Sequence, residues 1–299
     1  MSVSVIIPTT CELRRKESLW HAINSIVQQD IGDIEVIVVV NGKRFDPELF
    51  AQLKADARLK VYYQEEGSLP AALRLGRTLV TRVFFSFLDD DDEYYPGALR
   101  IRLAPMLRNS SVDLVVTNGY AMERGMRQLR VRHPHAINRE PLVALIKENW
   151  LASCGGLFRS ATITLDYFDG HTKYFEWTLL GFRLALAQRK ILFLDEPTYC
   201  IHETPQSLSK SRGYHQSLIG FLHFLMTLDS SPHVLKAIKP KLAAAWHGAS
   251  DDYLKAGEKT QAWRCHIKSL CYPSGWKYLG YSLRLCWHRR SRTKQHPYD

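Results

Sequence analysis

Four consecutive aspartates, residues 89–92, follow the apolar segment VFFSFL at residues 83–88 and are themselves followed by Glu93. Five adjacent carboxyl groups repel one another, and at the end of a buried strand they would also be partly desolvated. A divalent cation removes this conflict, because hard oxygen ligands suit Mg²⁺ and Mn²⁺, and Mg²⁺ is usually held by one or two carboxylates together with substrate phosphates. The acidic run therefore predicts a metal site that acts on a phosphate-bearing substrate. A solvated acidic turn is the alternative.

The residues before the acidic run alternate between strand and helix patterns. Apolar, β-branched runs at residues 3–8 and 34–40 predict strands covered on both faces, and apolar residues at helical spacing predict a helix over residues 17–29. A weaker strand at residues 59–63 and a helix at residues 70–78 come next. This order predicts an α/β fold with a mostly parallel central sheet and flanking helices. Ligands of such sheets bind outside the carboxyl ends of the strands, which is where the acidic run would lie.

The second part of the chain is less regular. It shows strand patterns at residues 112–118 and 190–194 and helix patterns at residues 140–150 and 175–188. Helices rich in Leu, Trp and Tyr follow from residue 214 onward. With 299 residues, the chain is long enough for one large α/β domain and an appended helical part.

The helical extension, which we place at residues 213–299 after an α/β domain of residues 1–212, carries most of the excess positive charge. Between Arg264 and Lys294 there are eight Lys or Arg residues and no Asp or Glu. Four apolar residues there are spaced as on one face of a helix, namely Trp276, Leu279, Leu283 and Trp287. A basic, aromatic and amphipathic segment of this kind predicts binding to an anionic membrane surface. A core-packing helix with a solvated basic face is the alternative, and no nucleic-acid-binding motif accompanies the charge.

Three segments together resemble one family. VSVIIPT at residues 3–9, VVNG at residues 39–42 and FSFLDDDDEYYPGAL at residues 85–99 are similar to the inverting family 2 glycosyltransferases of the GT-A fold, of the bacterial polysaccharide type. The resemblance covers roughly residues 3–210. It implies a nucleotide-binding half over about residues 1–105 and an acceptor half over about 106–212. It also implies a nucleotide-diphosphate sugar donor, Mg²⁺ or Mn²⁺, and a glycan or lipid-linked glycan acceptor in the synthesis of cell-envelope or exported polysaccharide.

The third segment is the most specific one, because it combines a hydrophobic strand, Asp-x-Asp-Asp, a proline and a helix start. By match to the family, Asp89 faces the ribose and the metal, and Asp91 is the main metal ligand. Asp92 orients its neighbours, and Asp90 is the variable middle residue on the donor side.

The resemblance implies further donor contacts at the ends of the first two strands. Pro8 and Thr9 correspond to the pocket for the nucleotide base. At the end of the second strand the family commonly has acidic residues, whereas this chain has Asn41, so the usual carboxylate contact with uracil is missing and a UDP-, GDP- or dTDP-sugar stays open. An amide can still donate and accept hydrogen bonds, and a simple Asn-Gly turn is the alternative. Arg74 matches a position near the diphosphate, and an exposed helical arginine is the alternative there.

An inverting transfer needs a general base that takes the proton of the acceptor hydroxyl. In the family this base belongs to an acidic pair that opens a helix, six or seven residues before an arginine, which here is Arg183. Glu176 occupies the first acidic position, and Trp177 stands where the family usually has the aspartate base, on the acceptor side. We expect Glu176 to be the base. The alternatives are that Asp169 takes this role, or that Glu176 only stabilises a helix N-terminus.

Two more segments match the family near the acceptor and the leaving group. Gly155 and Gly156 correspond to a small-residue turn on the acceptor side, where missing side chains permit close approach; an ordinary turn is the alternative. His202, with Ser207 and Ser209 after it, corresponds to a segment that closes over the diphosphate. A neutral imidazole there can bind the metal, and a protonated one can balance leaving-group charge.

The sequence also bears on the location of the protein and on two competing functions. The six cysteines are scattered, residues 1–8 lack the features of a signal peptide, and no stretch reaches about 18 uninterrupted apolar residues. We therefore expect a cytoplasmic protein, held at the inner face of the cytoplasmic membrane if its tail binds lipid. A sugar nucleotidyltransferase is an alternative, but Pro8-Thr9-Thr10-Cys11 replaces its glycine-rich phosphate loop. A non-catalytic member that binds sugar or membrane is the third hypothesis.

Overall fold

The protein is described here from a computed structural model, which describes residues 2–123, 125–170, 174–202 and 213–287. The chain divides into two compact units, residues 1–207 and residues 208–299. This division falls within the segment 203–212, which lies outside the described residues, as do Ser207, Ser209 and the basic residues after Trp287.

The first unit is built on one sheet that contains nine strands of the described residues. Its strands are β1 (Ser2–Thr9), β2 (Asp33–Asn41), β3 (Leu59–Gln64), β4 (Phe84–Phe87), β5 (Glu93–Tyr94), β6 (Leu114–Glu123), β7 (Met126–Leu129), β8 (Gly156–Arg159) and β9 (Ile191–Ile201). They follow the order β3-β2-β1-β4-β8-β6-β9-β5, and β7 pairs with β6 outside this path. The one sheet therefore runs through both halves that the sequence suggested.

Six described helices belong to the same unit. They are α1 (Lys16–Val27), α2 (Pro47–Ala55), α3 (Leu69–Leu79), α4 (Ala98–Arg108), α5 (Pro141–Lys147) and α6 (Glu176–Leu186). Helices α2 and α3 begin where the sequence provides caps, because the side chains of Asp46 and Ser68 accept hydrogen bonds from the backbone of the first turn. Each of these two helices also has a proline in its first turn, where the missing N–H is not needed.

The predicted α/β class is confirmed, and the direction of the strands changes across the sheet. Strands β3, β2, β1 and β4 are parallel, as the repeated strand–helix pattern predicts. Strand β8 is antiparallel to both of its neighbours, β4 and β6, and β5 is antiparallel to β9. The sheet is thus parallel in its first half and mixed in its second. The irregular strand patterns after residue 105 reflect this change.

A buried arginine fixes the second half of the sheet next to the acidic run. Arg102 of α4 is fully buried, and its guanidinium donates to the hydroxyl oxygens of Thr117 and Thr198 at 3.0 and 2.7 Å. The same guanidinium lies 4.8 Å from the ring centre of Tyr94 and 6.0 Å from that of Tyr199. A buried guanidinium needs such partners, because burying it unpaired is costly. It therefore holds α4, β6 and β9 together.

Gly119 in β6 provides a test of this packing. A Cβ atom on Gly119 would lie 2.3 Å from the ring of Tyr199, which is fully buried. We expect Gly119→Ala to lower the free energy of unfolding by about 1–3 kcal/mol in urea titrations, since overpacking in a close-packed interior costs about that much. Gly32 has no atom within 4 Å of such a Cβ. The control Gly32→Ala should therefore stay within about 0.5 kcal/mol of the parent, and equal losses in both variants would exclude the Tyr199 contact as the cause.

The second unit is helical in its described part. Its helices are α7 (Tyr214–Leu228), α8 (Pro232–Lys255), α9 (Lys259–Leu270) and α10 (Tyr281–Trp287). A 3₁₀ turn at Gly275–Tyr278 precedes α10, so the amphipathic segment of the tail is not one continuous helix. Leu285 of α10 is fully buried against Leu254 and Ala262. No described helix is both long and apolar enough to cross a membrane.

Candidate active site

The carboxyl ends of β1, β2 and β4 bring the first group of predicted site residues together. Thr9 ends β1 and Asn41 ends β2, and the amide of Asn41 donates to the backbone oxygen of Thr9 at 3.0 Å. The hydroxyl of Thr9 donates to a carboxylate oxygen of Asp90 at 2.6 Å and accepts from the backbone N–H of Cys11 at 2.8 Å. Pro8 is buried in the same strand end. Strand-end residues far apart in the sequence thus form one polar edge.

The acidic run after β4 is crowded and largely withdrawn from water. Burial, with the neighbouring carboxylates adding to it, raises the pKa of Asp89 to about 7 and that of Asp92 well above its usual range. Burial also raises the pKa of Asp90 to about 6, although Arg15 and Thr9 act in the opposite direction. The conflict among carboxylates that the sequence suggested is therefore present in the folded chain.

Asp90 and Asp91 both pair with Arg15, a residue that the sequence did not identify as part of the site. Arg15, at the start of α1, forms an ion pair with Asp90, and its guanidinium lies 3.2 Å from a carboxylate oxygen of Asp91. Asp90 was placed at the variable middle position of the motif, yet its side chain is only 7% exposed and bonds both Arg15 and Thr9. The side chain of Asp91 is 20% exposed. Asp91 is thus the more accessible of these two carboxylates, and Asp90 ties the acidic run to β1.

His202 lies at the acidic run, as the sequence suggested, and two further residues join it. Its backbone N–H donates to Asp92 at 3.1 Å, and its ring nitrogen Nε2 lies 3.2 Å from a carboxylate oxygen of Glu93. The other carboxylate oxygen of Glu93 lies 2.6 Å from Nε2 of His21 in α1. One ligand atom from each of His21, Glu93 and His202 falls within 4.8 Å of the others. Two imidazoles and a carboxylate at this spacing fit a divalent metal ion.

Glu176 opens α6 and lines a small cleft of about 30 Å³. Burial raises the pKa of Glu176. The same cleft is lined by Asp169 and Arg183, and by Pro70, Leu73 and Trp177 among its apolar residues. The structure therefore brings together Glu176, the arginine that follows it in the family pattern and the alternative base.

Asp169 accepts hydrogen bonds from two arginines near this cleft, one through its side chain and one through its backbone oxygen. Arg74 donates to a carboxylate oxygen of Asp169 at 2.8 Å, with both side chains about half exposed. Arg183 donates to the backbone oxygens of Tyr167, at 3.1 Å, and Asp169. Arg74 thus faces Asp169 in this structure, and Asp169 is already ion-paired, whereas Glu176 owes its raised pKa to burial.

Trp177 connects this cleft to the strand before the acidic run. Its ring meets the ring of Phe87 edge to face, with centres 5.0 Å apart. The ring centre of Phe168 lies 5.6 Å from that of Phe87. Phe87 is fully buried at the end of β4, two residues before Asp89. The tryptophan at the position of the usual aspartate therefore fixes the start of α6 against β4.

The two glycines assigned to the acceptor side are buried and packed by protein atoms. A Cβ on Gly155 would lie 3.3 Å from the ring of Tyr199, and one on Gly156 would lie 2.8 Å from the ring of Phe158. The close approach that these glycines permit is made by aromatic side chains in the structure. This packing accounts for both glycines, and an acceptor contact at either of them stays a prediction.

Comparison with known proteins gives matches in sequence and in fold. The pattern of the family described as Glycosyl transferase family 2 matches residues 4–190. An uncharacterized glycosyltransferase of Rickettsia conorii is 29% identical over 138 residues, which are 45% of this chain and 22% of the relative. The uncharacterized glycosyltransferase EpsJ of Bacillus subtilis is 24% identical over 226 residues, which are 70% of this chain and 63% of the relative. The chain thus spans less than two thirds of the length of these relatives.

Among solved structures, S. aureus TarS 1–349 in complex with UDP-GlcNAc matches with a TM-score of 0.63 and 16% identity, over 97% of this chain and 93% of that one. TarS 1–349 in complex with UDP matches with a TM-score of 0.55 and 18% identity. These likenesses confirm the predicted GT-A fold. Because the family pattern covers residues 4–190 of 299, more than half of the chain, this protein belongs to glycosyl transferase family 2, a family of glycosyltransferases.

Proposed function

We propose that this glycosyltransferase moves a sugar, with inversion, from a nucleotide-diphosphate sugar to a glycan or lipid-linked glycan in the synthesis of cell-envelope or exported polysaccharide. The observation that carries the proposal is the acidic run at the carboxyl end of β4, which Asp90 joins to Thr9 at the end of β1. This is the edge at which α/β sheets bind their ligands. The complex of TarS with UDP-GlcNAc supports a donor of this class.

The donor would lie against the ends of β1 and β2, with Pro8, Thr9 and Asn41 at the base and Asp89 and Asp90 toward the ribose. Asn41 replaces a carboxylate with an amide, which offers both a donor and an acceptor to a base. The amide can therefore pair with the base of a uridine, guanosine or thymidine donor. Incubation with UDP-, GDP- and dTDP-sugars distinguishes these three donors.

Glu176 is the proposed general base. The acceptor oxygen forms a bond to the anomeric carbon while the bond from that carbon to the diphosphate oxygen breaks. The hydroxyl proton passes to Glu176, and the diphosphate leaves with the electron pair. Burial of Glu176 suits this role, because a carboxylate with a raised pKa is a stronger base than an exposed one. Arg74 and Asp169 form an ion pair at the same cleft, and Arg74 would turn to the diphosphate only by leaving Asp169.

A divalent cation, Mg²⁺ or Mn²⁺, would be held at the acidic run by Asp91, Asp89 and His202. When bound, such an ion supplies positive charge to the departing diphosphate. The imidazole of His21 and the carboxylate of Glu93 lie beside His202 and offer further ligand atoms next to the acidic run.

Purified protein incubated with UDP-, GDP- and dTDP-sugars and Mn²⁺ tests this function against its two alternatives. Donor hydrolysis or sugar transfer is the expected result. Release of pyrophosphate from a nucleoside triphosphate and a sugar phosphate would instead identify a nucleotidyltransferase. Binding of a nucleotide-sugar without turnover, in the presence of a range of glycan acceptors, would identify a non-catalytic member.

We further propose that the second unit binds the surface of an anionic membrane, where a lipid-linked acceptor would be presented on the cytoplasmic side. Trp276, Leu279, Leu283 and Trp287 are 69%, 57%, 68% and 82% exposed, whereas Leu285 alone of the α10 residues is buried. These four side chains therefore do not pack the core of the unit. Apolar exposed residues among basic ones are the composition of an interfacial membrane segment.

The double variant Trp276→Ala/Trp287→Ala should bind vesicles that contain phosphatidylglycerol about tenfold or more weakly than the parent in co-sedimentation, because each ring removes apolar surface that would be buried in the interface. The matched control is Met126→Ala/Leu129→Ala, which removes two apolar residues of the first unit that are 60% and 42% exposed. Equal binding of the parent and the tryptophan variant would contradict the role of these rings in membrane binding, and equal binding to phosphatidylglycerol and uncharged phosphatidylcholine vesicles would contradict a preference for an anionic surface.

A further inference from the structure

A groove with a volume of about 560 Å³ opens on the helical unit between α7, α8 and α9. Pockets of this size are typical of small-molecule sites. The lining residues are Gln216, Ile219, Trp246, Tyr253, Gln261, Arg264, Cys265, Ile267 and Lys268. None of the residues of this groove is near the acidic run in the sequence, and none takes part in the proposed transfer.

The charge of the groove is of one sign. Arg264 and Lys268 stand four residues apart on α9 and are both exposed, so they lie on the same face of the helix. No Asp or Glu is among the described residues that line the groove. Neither cation forms an ion pair with a described residue, and two such cations at one concave surface attract an anionic group.

Trp246 lines the groove beside one of these two cations. Its indole Nε1 is buried and has no hydrogen-bond partner among the described residues. The ammonium of Lys268 lies 4.3 Å from the centre of the same ring. Because Nε1 is closed off from solvent, the groove offers a ligand the ring of Trp246 and not this N–H.

The remaining wall of the groove is suited to a sugar ring. Trp246 and Tyr253 of α8 provide aromatic surface, and aromatic side chains combine apolar contact with a polar edge. The side-chain amides of Gln216 and Gln261 can each donate and accept, as hydroxyl groups require. Apolar surface with a few polar groups is the usual composition of a small-molecule site.

From the two exposed cations, the two amides and the aromatic wall, we infer that this groove binds an anionic saccharide, a chain in which sugar rings carry carboxylate or phosphate groups. This inference deepens the proposed function and rests on it in one respect, since it names the chemical class of the acceptor glycan. An anionic lipid surface is a separate ligand with different requirements. It would be bound by the exposed apolar residues of the tail, which do not line the groove.

Binding of hexagalacturonate to the full chain, measured by calorimetry at low salt, tests the inference. We expect the parent to bind hexagalacturonate at least about tenfold more tightly than neutral maltohexaose, because the cations act only on the charged chain. The variant Arg264→Gln/Lys268→Gln should lose about tenfold or more in affinity for hexagalacturonate. Trp246→Ala, which removes the aromatic ring from the wall of the groove, should also weaken binding.

The matched control is Lys236→Gln/Lys239→Gln on α8, which removes the same charge outside the groove and should bind like the parent. Equal losses in both double variants would overturn the inference, since net charge alone would then explain binding. Equal affinity for maltohexaose would overturn the anionic class. Inorganic phosphate that binds as tightly as hexagalacturonate would reduce the groove to a small-anion site. A loss of binding to phosphatidylglycerol vesicles in Arg264→Gln/Lys268→Gln, without any loss for hexagalacturonate, would assign the groove to lipid.

These results are separable from a failure of the proposed function. Arg264→Gln/Lys268→Gln should hydrolyse the nucleotide-sugar donor like the parent, because neither residue belongs to the donor edge. If no donor is turned over by any variant while hexagalacturonate still binds in the groove, the proposed transfer fails and the saccharide site stands. If donor turnover is normal and hexagalacturonate does not bind, the groove inference alone fails.

Discussion

Glu176→Gln is expected to lower the rate of sugar transfer by about 10²–10⁴-fold, the usual contribution of a general base, while affinity for the nucleotide-sugar stays near that of the parent. Glutamine has nearly the same shape and cannot take up the proton of the acceptor hydroxyl. Glu176 lies at the start of α6, and Thr9, Asn41 and Asp90 are not among the residues that line its cleft, so donor binding should not depend on its charge. Transfer rates and calorimetric donor affinity, measured on the same preparations, check both parts.

Two matched variants sharpen this prediction. Glu48 lies in the first turn of α2 and is exposed, so Glu48→Gln removes the same charge from a helix N-terminus away from the cleft and should leave transfer unchanged. Asp169→Asn tests the alternative base. Collapse of transfer in Asp169→Asn together with normal transfer in Glu176→Gln would move the base to Asp169.

The pH dependence of transfer follows from the raised pKa of Glu176. A general base must be deprotonated, so the rate should rise with pH through a pKa above the ordinary value of about 4.3 for Glu. Below that pKa the protonated carboxyl cannot act as a base. An acidic limb that persists unchanged in Glu176→Gln would show that another group controls the pH dependence, and would contradict Glu176 as the base.

Much of the fold and of the donor edge could be predicted because both depend on local patterns. The apolar runs at residues 3–8 and 34–40 become β1 and β2, and the acidic residues follow β4 as expected. In a parallel sheet the carboxyl ends of such strands meet at one edge. Thr9, Asn41 and Asp90 are far apart in the sequence, and their contact follows from strand order alone.

Other parts of the site depend on how helices pack, which no local pattern reveals. Arg15 and His21 lie on or next to α1, and only the packing of α1 on the sheet brings them to Asp90 and Glu93. Arg15 follows another arginine before a helix, where an exposed side chain would be expected. A basic pair that lies just after the end of β1, the strand next to the acidic run, is a signal that could have found it.

For glycines and exposed aromatic residues, the sequence did not show which groups they contact. A glycine pair indicates close approach but not the approaching group, and in the structure Tyr199 and Phe158 fill the space at Gly155 and Gly156. The spacing of Trp276 and Trp287 predicted one apolar face, yet a 3₁₀ turn separates Trp276 from α10. Such residues show that an apolar surface exists, and only the fold shows whether it is buried.

Asp91→Ala is expected to weaken binding of the nucleotide-sugar in the presence of Mn²⁺ by about 100-fold or more, since loss of even an outer-shell partner of a metal site typically costs about 10–100-fold in metal affinity. The side chain of Asp91 is 20% exposed, against 7% for Asp90, and only Arg15 is paired with it among the described residues. A divalent cation bound to the carboxylate of Asp91 would also lie beside the buried carboxylates of the acidic run. Calorimetry with Mn²⁺ and with EDTA separates metal-dependent from metal-independent affinity.

The control for this prediction is Asp30→Ala. Asp30 is exposed and paired with Arg100 on the surface, so its loss removes an ion-paired aspartate without touching the acidic run. Asp91→Ala should bind the donor in Mn²⁺ as weakly as the parent does in EDTA, whereas Asp30→Ala should retain the full difference between the two conditions. Donor affinity in Mn²⁺ that is the same in Asp91→Ala and in the parent would remove Asp91 from the metal site. If His21→Ala then abolished the Mn²⁺ effect, the cation would belong to His21, Glu93 and His202, the group of described residues whose ligand atoms all lie within 4.8 Å of one another.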